Sequence, residues 1–192
     1  MMQLLRSIAG LKSRWRNIYY RSMGVQLEGY VWLRKIEIAR NYADIKIGAN
    51  CALDRGVTLL CSGESLFQPK IEIGANTYIN RNTIIDAVAL IKIGRDCAIA
   101  PNCYITDHDH GLDSHLPPLQ QPMIAQQTII GDRVWVGANV TILKGVQIGN
   151  DAVVGAGSVV TKDIPEKAIV AGVPTKILRM KEDAKLLTVL KD

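Results

Sequence analysis

The residues best suited to chemistry lie together near the middle of the chain. This run contains all the histidines and three aspartates: His108, His110, His115, Asp107, Asp109 and Asp113. An imidazole titrates close to neutral pH, and a carboxylate on its second ring nitrogen can hold one tautomer. The run is therefore a candidate for general acid–base chemistry, and the alternative is that these are polar residues of a solvated loop. The residues alone do not choose which of the aspartates orients the base.

An aliphatic residue recurs at every sixth position, and this spacing predicts the scaffold that carries the run. The longest unbroken series is Ile130, Val136, Ile142, Ile148, Val154 and Val160. Shorter series with the same spacing begin at Ile47, Ile73 and Ile93. Three sixes make an 18-residue coil, which is typical of a parallel β-helix. The sequence therefore predicts an all-β triangular prism of about five to six coils, with the aliphatic residues inside.

The third residue after each aliphatic position supports the same fold. The regular positions are occupied by Asn50, Gly56, Asn76, Asn82, Asp96, Asn102, Arg133, Asn139, Gly145, Asp151, Gly157 and Asp163. With the exception of Arg133, these residues adopt left-handed backbone angles at low cost, as tight corners require. The spacing breaks after Ser62, Val88 and His108, where the chain is predicted to leave the coil. The longest excursion, 107–127, contains the histidines, and long loops are usually functional.

Composition and charge exclude several other classes of protein. The 192 residues include one Phe and 5% aromatics, which suits narrow interior slots filled by Ile and Val. The net charge of +5 is concentrated before Glu28, the first acidic residue, so the remainder is balanced and argues against nucleic-acid binding. The cysteines lack metal-site spacing and are predicted to be reduced packing residues of a cytoplasmic protein: Cys51, Cys61, Cys97 and Cys103. No metal site is predicted.

The two ends are predicted to be helical. Residues 1–24 form a basic amphipathic helix whose apolar face carries Leu4, Ile8, Leu11, Trp15, Ile18 and Tyr19. This face either packs on the prism end or a trimer partner, or lies on a membrane surface, which would place the protein peripherally at the inner face of the membrane. Residues 25–165 form the prism. Residues 166–192 form a C-terminal extension with a helix from Lys176 to Asp192.

The stretch from Ile130 to Arg179 carries three longer motifs. They are Gly-Asp-Arg-Val-Trp-Val-Gly-Ala, Gly-Ala-Gly-Ser-Val-Val-Thr-Lys-Asp-Ile-Pro and Ala-Gly-Val-Pro-Thr-Lys-Ile-Leu-Arg. This stretch resembles the tail of the galactoside, maltose and capsule or lipopolysaccharide O-acetyltransferases, hexapeptide-repeat enzymes with a left-handed β-helix. The resemblance covers about residues 70–180. It implies a homotrimer with active sites between subunits, acetyl-CoA as co-substrate, a carbohydrate acceptor and no permanently bound cofactor.

The resemblance also implies site residues. The segment from Ala100 to His110 aligns without gaps with the family segment that ends in the general base, which favours His110, with His108 in reserve. The positions implied for acetyl-CoA are Ala138, Ala156, Thr161, Lys162, Arg179 and, in place of or beside Arg179, Lys176. Those implied for the acceptor are Asn80, Asn82 and Asp86. Because Asn82 is also a corner residue and Asp86 is offset by one position from an acidic pair, the acceptor is not identified.

These observations favour an acetyl-CoA-dependent O-acetyltransferase acting on a sugar or a surface-polysaccharide intermediate. One alternative is a β-helix scaffold without catalysis, because the fold by itself carries no activity. A second is a γ-type carbonic anhydrase, which shares the prism and uses three histidines. The spacing of His110 and His115 fits that enzyme, but the upstream histidine that it requires is missing.

Overall fold

The computed structural model describes residues 2–65 and 68–181, which form one long helix followed by strands wound into a three-sided prism. Helix α1 spans Met2–Ser22. Each coil of the prism contributes one strand to each of three sheets, called sides A, B and C in chain order. The predicted β-helix is confirmed. Six coils are complete, and the first of them, β1 to β3, is the irregular coil between residues 25 and 46.

The strands stack in order along each side. Side A contains β1 (Gln26–Leu27), β4 (Ile45–Ile47), β7 (Ile71–Ile73), β10 (Ile91–Ile93), β15 (Thr128–Ile130) and β18 (Gln147–Ile148). Side B contains β2 (Trp32–Leu33), β5 (Ala52–Leu53), β8 (Tyr78–Ile79), β11 (Ala98–Ile99), β16 (Trp135–Val136), β19 (Val153–Val154), β21 (Ala168–Ala171) and β22 (Lys176–Met180). Side C contains β3 (Glu37–Ile38), β6 (Thr58–Cys61), β9 (Ile84–Ala87), β12 (Tyr104–Thr106), β17 (Thr141–Ile142) and β20 (Val159–Val160).

Three further pieces lie outside the sheets. The hairpin strands β13 (His108–His110) and β14 (Met123–Ala125) pair with each other, and short 3-10 helices cover Tyr42–Asp44 and Pro118–Gln120. The turn between sides B and C is called the B–C corner, and the turn between side C and the next side A is called the C–A corner. The excursions from the prism leave at the C–A corner.

The interior is a stack of aliphatic residues in register. On side B, for example, Leu33, Leu53 and Ile79 face one another across successive coils. All three are almost fully buried, and the residue preceding each on its strand is more exposed, as the two-residue period of a strand requires. The four cysteines are buried free thiols within this stack. Trp15 and Trp135 are 66% and 57% exposed, so these rings lie outside the interior, as suits slots filled by Ile and Val.

The corners confirm the left-handed backbone that the six-residue pattern predicts. Of the twelve corner positions predicted to adopt this conformation, only Asp163 lacks a positive φ. Arg133, the one position that is not Asn, Asp or Gly, still has a φ of 55°, and its guanidinium lies 2.7 Å from the Asp151 carboxylate of the next coil. Asp163 instead accepts a hydrogen bond of 2.8 Å from the Gln147 backbone N–H. Corner geometry therefore depends on position in the coil more than on residue type.

The C-terminal prediction is partly wrong. Lys176–Met180 forms strand β22 antiparallel to β21, where a helix beginning at Lys176 was expected. The physical reason is that β21 would otherwise be an open edge, and β22 pairs its backbone groups. The parallel pairing of β21 with β19 also continues the prism beyond residue 165. The rest of the predicted helix, 182–192, lies outside the described residues.

Helix α1 is confirmed, but it packs on the prism with its polar face. Asn17 donates to the Val31 carbonyl (2.7 Å) and accepts from the Val31 N–H (3.0 Å), and the Ser13 hydroxyl accepts from the Leu33 N–H (2.9 Å). The first coil has no coil below it, so its backbone groups need partners, which polar side chains supply. The expectation that the apolar face packs on the prism end is therefore wrong. That face is exposed by 41% to 66% at Ile8, Leu11, Trp15, Ile18 and Tyr19.

No helix within residues 2–65 and 68–181 is long and apolar enough to cross a membrane.

Candidate active site

The histidine run lies on a hairpin that leaves the C–A corner of the fourth coil. In this hairpin, His108 faces Ala125, Asp109 faces Ile124 and His110 faces Met123. Because alternate residues of a strand share a face, His108 and His110 point to the same side. Both line a cavity of about 780 Å³. The excursion predicted as a loop therefore has a regular strand pair at its base.

The remaining walls of the cavity come from side C and the C–A corners of neighbouring coils. They include Arg40, Leu60, Asp86, Tyr104 and Leu143, and Met123 of hairpin strand β14 also lines the cavity. The Tyr104 hydroxyl donates to the Asp86 carboxylate at 3.2 Å. Burial and, secondly, the charge of Asp86 raise the pKa of the Tyr104 phenol, so Tyr104 is a neutral donor at physiological pH. Arg40 adds a cation to the cavity wall and donates to the Ser62 hydroxyl at 3.3 Å.

Asp107 reaches His108 and anchors the start of the hairpin. Its carboxylate is fully buried and accepts hydrogen bonds from the backbone N–H groups of Val88 (2.8 Å) and Ala89 (2.7 Å). The Nδ1 atom of His108 lies 3.1 Å from Asp107 Oδ1 and 3.2 Å from Thr106 Oγ1. A carboxylate held in this way favours a proton on Nδ1, which leaves Nε2 as the basic nitrogen.

The other two aspartates do not touch a histidine ring. Asp109 also lines the cavity, and its carboxylate pairs with Lys144 of the fifth coil at 2.5 Å. Asp113 accepts a hydrogen bond of 2.8 Å from the backbone N–H of His115 and so shapes the loop. Within the described residues, the His110 ring has no hydrogen-bond partner and is exposed. Of the three candidates, only Asp107 is therefore placed to orient a histidine, and that histidine is His108.

The hairpin is fastened to the prism at both ends. The Gln126 N–H donates to the Asp107 carbonyl (2.7 Å), and the Thr128 hydroxyl donates to the Thr106 carbonyl (2.8 Å). These bonds join the residues where the chain leaves and rejoins the coil, and the Lys144–Asp109 pair adds a third attachment. The histidines are consequently held on a supported element, which suits a catalytic group.

The positions implied for acetyl-CoA fall in three places. Ala138 and Ala156 occupy the B–C corner of adjacent coils, where the Gly157 N–H donates to the Ala138 carbonyl at 2.8 Å. Thr161 and Lys162 follow β20 at the C–A corner, and both are exposed. Lys176 and Arg179 lie on β22, also exposed. One copy of the chain does not gather these residues around the histidine cavity.

The acceptor candidates are also divided. Asp86 lines the cavity beside the histidines. Asn80 and Asn82 lie at the B–C corner, at the far end of the same side, and four residues of extended chain separate Asn82 from Asp86 by about 13 Å. Asn82 has a φ of 58° and donates to the Asn102 side chain at 3.3 Å, so it is a corner residue of the prism in any case.

Among the site residues that were not predicted, three carry a charge or a phenol: Arg40, Tyr104 and Lys144. Arg40 and Lys144 reach the site only because coils that are distant in sequence stack on one another. Tyr104 lies on β12, four residues before His108, and only its contact with Asp86 depends on stacking. Among the described residues, no group of three or more His, Cys, Asp or Glu side chains is arranged to hold a metal ion.

Comparison with known proteins places this prism in a family. Residues 127–162 match the family model described as bacterial transferase hexapeptide (six repeats). The putative lipopolysaccharide biosynthesis O-acetyl transferase WbbJ of Escherichia coli (strain K12) is 38% identical over 148 residues, which cover 73% of this chain and 74% of that protein. The galactoside O-acetyltransferase of the same organism is 42% identical over 110 residues, covering 57% of this chain and 53% of that protein.

A solved structure supports the same assignment. The hexapeptide-repeat-containing acetyltransferase VCA0836 of Vibrio cholerae O1 biovar eltor, complexed with acetyl-coenzyme A, superposes with a TM-score of 0.57 at 34% identity, over 69% of this chain and 71% of that one. The chain belongs to the hexapeptide-repeat acyltransferases with a left-handed β-helix, and it is an acyltransferase.

Proposed function

We propose that the chain transfers an acetyl group from acetyl-CoA to a hydroxyl group of a sugar or of a surface-glycan intermediate. The observation that carries this proposal is the cavity that His108, His110, Asp86 and Tyr104 line together. The cavity offers a base, a carboxylate and a neutral donor, which together suit a polyhydroxylated acceptor. The named activities of the two E. coli relatives support a carbohydrate as that acceptor.

His110 is the proposed general base. Its imidazole removes the proton from the acceptor hydroxyl, and the oxygen attacks the thioester carbonyl carbon of acetyl-CoA. The carbon–sulfur bond then breaks, and the proton passes to the departing sulfur, which leaves as the CoA thiol. General-base catalysis of this kind contributes about 10²- to 10⁴-fold to a rate. The exposed ring of His110 in the cavity and the gap-free alignment of its segment support this assignment.

His108 is the second candidate for the same step. The specific observation in its favour is the Asp107 carboxylate 3.1 Å from its Nδ1 atom. This contact supplies the orientation that a general base needs, and His110 lacks it within the described residues. The two assignments differ in a testable way, because only a His108 base depends on Asp107 for its tautomer.

The acyl donor is proposed to lie along the C-terminal coils. Ala138 and Ala156 present small side chains on which a pantetheine arm fits closely, and the Ala138 N–H is the proposed donor to the developing oxyanion. Thr161 and Lys162 extend this path, and Lys162, Lys176 and Arg179 are exposed cations suited to the phosphates of CoA.

A homotrimer with active sites between subunits is proposed from the family resemblance, and the distribution of these residues supports a site shared between copies. The histidines and Asp86 lie at the C–A end of side C, whereas Asn80, Asn82, Ala138 and Ala156 lie at the B–C corner. A complete site needs both ends of side C, which two neighbouring copies can supply. Mixing His110→Ala with Ala138→Trp chains tests this: regained activity supports a shared site, whereas a fully active monomer contradicts it.

The exposed face of α1 is proposed to rest on an anionic membrane surface. Its apolar stripe is Ile8, Leu11, Trp15, Ile18 and Tyr19. At 100° per residue, Lys12 and Arg16 follow one margin of the stripe, and Arg14 and Arg21 follow the other. No acidic residue precedes Glu28, so the stripe has a basic border that complements anionic headgroups.

One assay separates this function from its alternatives. Thiol release from acetyl-CoA is measured with free sugars, nucleotide sugars and glycan oligosaccharides, with water as the blank. Release that depends on one carbohydrate class supports the proposal. No release with any acceptor favours a β-helix scaffold. Hydration of carbon dioxide that requires zinc favours a γ-type carbonic anhydrase and overturns the proposal.

A further inference from the structure

A second cavity lies between helix α1 and the B–C corners of the first three coils, and it is strongly cationic. Its volume is about 370 Å³. Six basic side chains line it: Lys12, Arg16, Arg34, Lys35, Arg55 and Arg81. One carboxylate, that of Asp54, faces them. We call this cavity the basic groove.

Within the described residues, most of this charge is not neutralised by carboxylates. Asp54 interacts with Arg34 (3.4 Å) and with Arg81 (3.8 Å). In the part of the chain that the structure describes, Lys12, Lys35 and Arg55 form no ion pair with a carboxylate. Like charges held close together repel one another, so a cluster of this kind gains free energy when an anion binds.

The β-helix itself builds this cluster. Leu33, Leu53 and Ile79 are in register, so the second residues after them, Lys35, Arg55 and Arg81, occupy the same corner of three successive coils. The column therefore repeats at about 4.8 Å, the ordinary strand spacing. The corresponding residues of the next coils are Pro101, Ala138 and Ala156, so the cations end where the proposed acyl-donor positions begin.

Helix α1 forms the opposite wall of the groove. It contributes Lys12 and Arg16, and the Arg16 guanidinium donates to the Leu33 carbonyl at 3.2 Å, which holds the helix against the corner. Trp32 lies in the groove and packs over Gly10, where a Cβ atom would be 3.8 Å from the indole. The groove thus combines fixed guanidinium groups with an aromatic ring.

We propose that the basic groove binds a phosphate or diphosphate group carried by the acceptor. Guanidinium groups match phosphate oxygens in geometry, and ammonium groups add point charge. This inference rests on the proposed acetyltransferase activity, and it narrows the acceptor to a sugar attached to a phosphate, as in a nucleotide sugar or a lipid-linked sugar. The groove holds the phosphate end, and the sugar hydroxyl extends along the prism edge toward the acyl donor.

The test compares two double variants that lose the same charge. Lys35→Gln/Arg55→Gln removes two cations of the groove. Lys46→Gln/Lys92→Gln removes two cations of side A, which pair with Glu28 and Glu72 and lie outside the groove. All four positions are on the surface, and circular dichroism checks that both variants fold. Titration calorimetry with inorganic pyrophosphate at fixed ionic strength gives the Kd of each chain.

We expect the groove variant to bind pyrophosphate at least about tenfold more weakly, because each charge-assisted hydrogen bond contributes that much or more. The side A variant should bind like the wild type. In the acetylation assay, the groove variant should raise the KM of sugar phosphates and nucleotide sugars, leaving the KM of acetyl-CoA and of the free sugar unchanged. Equal pyrophosphate binding by both variants, or a raised KM for acetyl-CoA, overturns the proposal.

Three further outcomes distinguish a lipid headgroup from a sugar phosphate, and failure of the groove proposal from failure of the acetyltransferase function. If vesicles of phosphatidylglycerol displace pyrophosphate while sugar phosphates do not, the groove is a site for lipid headgroups and the acceptor assignment is wrong. If pyrophosphate binds at the groove but the wild type releases no thiol with any acceptor, the acetyltransferase function fails while the anion site stands. If free sugars react fully and pyrophosphate does not bind, the groove proposal alone fails.

Discussion

The carboxylate of Asp107 lies 3.1 Å from the Nδ1 atom of its chain neighbour His108, while both of its oxygens also accept backbone N–H groups of the third coil. The same carboxylate therefore fastens the hairpin to the prism and orients one histidine. This double role makes a simple loss of activity in an Asp107 variant ambiguous. The histidine variants need to be compared together.

The first prediction concerns the general base. His110→Ala is expected to lower kcat about 10²- to 10⁴-fold, because the acceptor hydroxyl is then no longer deprotonated. His115→Ala, which removes the third histidine from the exposed part of the loop, is the matched control and should retain full activity. Steady-state thiol release with a saturating acceptor measures both. If His108→Ala and Asp107→Asn lose kcat while His110→Ala keeps it, the base is His108.

The second prediction concerns the apolar stripe of α1. Trp15→Glu is expected to lower binding to vesicles containing phosphatidylglycerol at least about tenfold. The indole would be buried in the bilayer interface on binding, and that burial contributes more free energy than a tenfold change in affinity requires. Trp135→Glu alters a comparably exposed tryptophan on the prism and should bind like the wild type. Co-sedimentation gives the bound fraction. Dissociation of an oligomer by Trp15→Glu, with unchanged vesicle binding, would assign the stripe to a partner copy.

The third prediction separates structure from acceptor binding at Asn82. Its φ of 58° and its hydrogen bond to Asn102 predict that Asn82→Ala lowers the free energy of unfolding by about 1–2 kcal/mol. Asn82→Gly should recover most of this loss, because glycine adopts the left-handed conformation freely. Asn80→Ala is the control at a neighbouring position without a positive φ. Urea unfolding measures stability, and a stable but inactive Asn82→Gly chain would show that the amide binds the acceptor.

The fourth prediction concerns a buried ion pair at the C–A corner. Lys70 Nζ lies 3.6 Å from Asp44 Oδ2, and both side chains are almost fully buried. Lys70→Met is expected to lower the free energy of unfolding by about 3–5 kcal/mol, because it leaves a buried carboxylate without its cation. Lys92→Met breaks an exposed pair with Glu72 and should cost less than about 1 kcal/mol. Asp44→Asn/Lys70→Met should regain part of the stability that Lys70→Met loses. Equal stability of Lys70→Met and Lys92→Met would contradict this account.

The fifth prediction concerns acid stability. The Arg95 N–H and guanidinium lower the pKa of Asp132, and the Arg133 guanidinium lowers the pKa of Asp151. A carboxylate whose pKa is lower in the folded chain than in the unfolded chain stabilises the fold at a pH above the unfolded-state pKa, near 3.9. This contribution is lost as the pH falls through the pKa of the folded chain. The urea concentration at the midpoint of unfolding should therefore decrease when the pH is lowered below about 4. Asp132→Asn/Asp151→Asn should flatten this fall, and an unchanged pH profile would contradict the prediction.

Much of the fold could be predicted because the prism repeats its rules at every coil. The six-residue spacing placed Ile79, Ile99 and Val136 in one column, and the corner residues confirmed the turn positions. The face of α1 that packs on the prism could not be predicted. Hydrophobic periodicity shows which face of the helix is apolar, but it does not show that the unpaired backbone groups of Val31 and Leu33 need polar partners. Likewise, Arg40 and Lys144 enter the site only through coil stacking.

The contacts of Ser13 and Asn17 with the first coil have a consequence for the solution behaviour of the protein. A parallel β-helix has an open end whose unpaired backbone can template another chain, and end-to-end stacking of such prisms would produce fibres. Polar side chains of α1 occupy the backbone groups of Val31 and Leu33 at that end. The helix therefore terminates the repeat and keeps the coils of one molecule from continuing into the next.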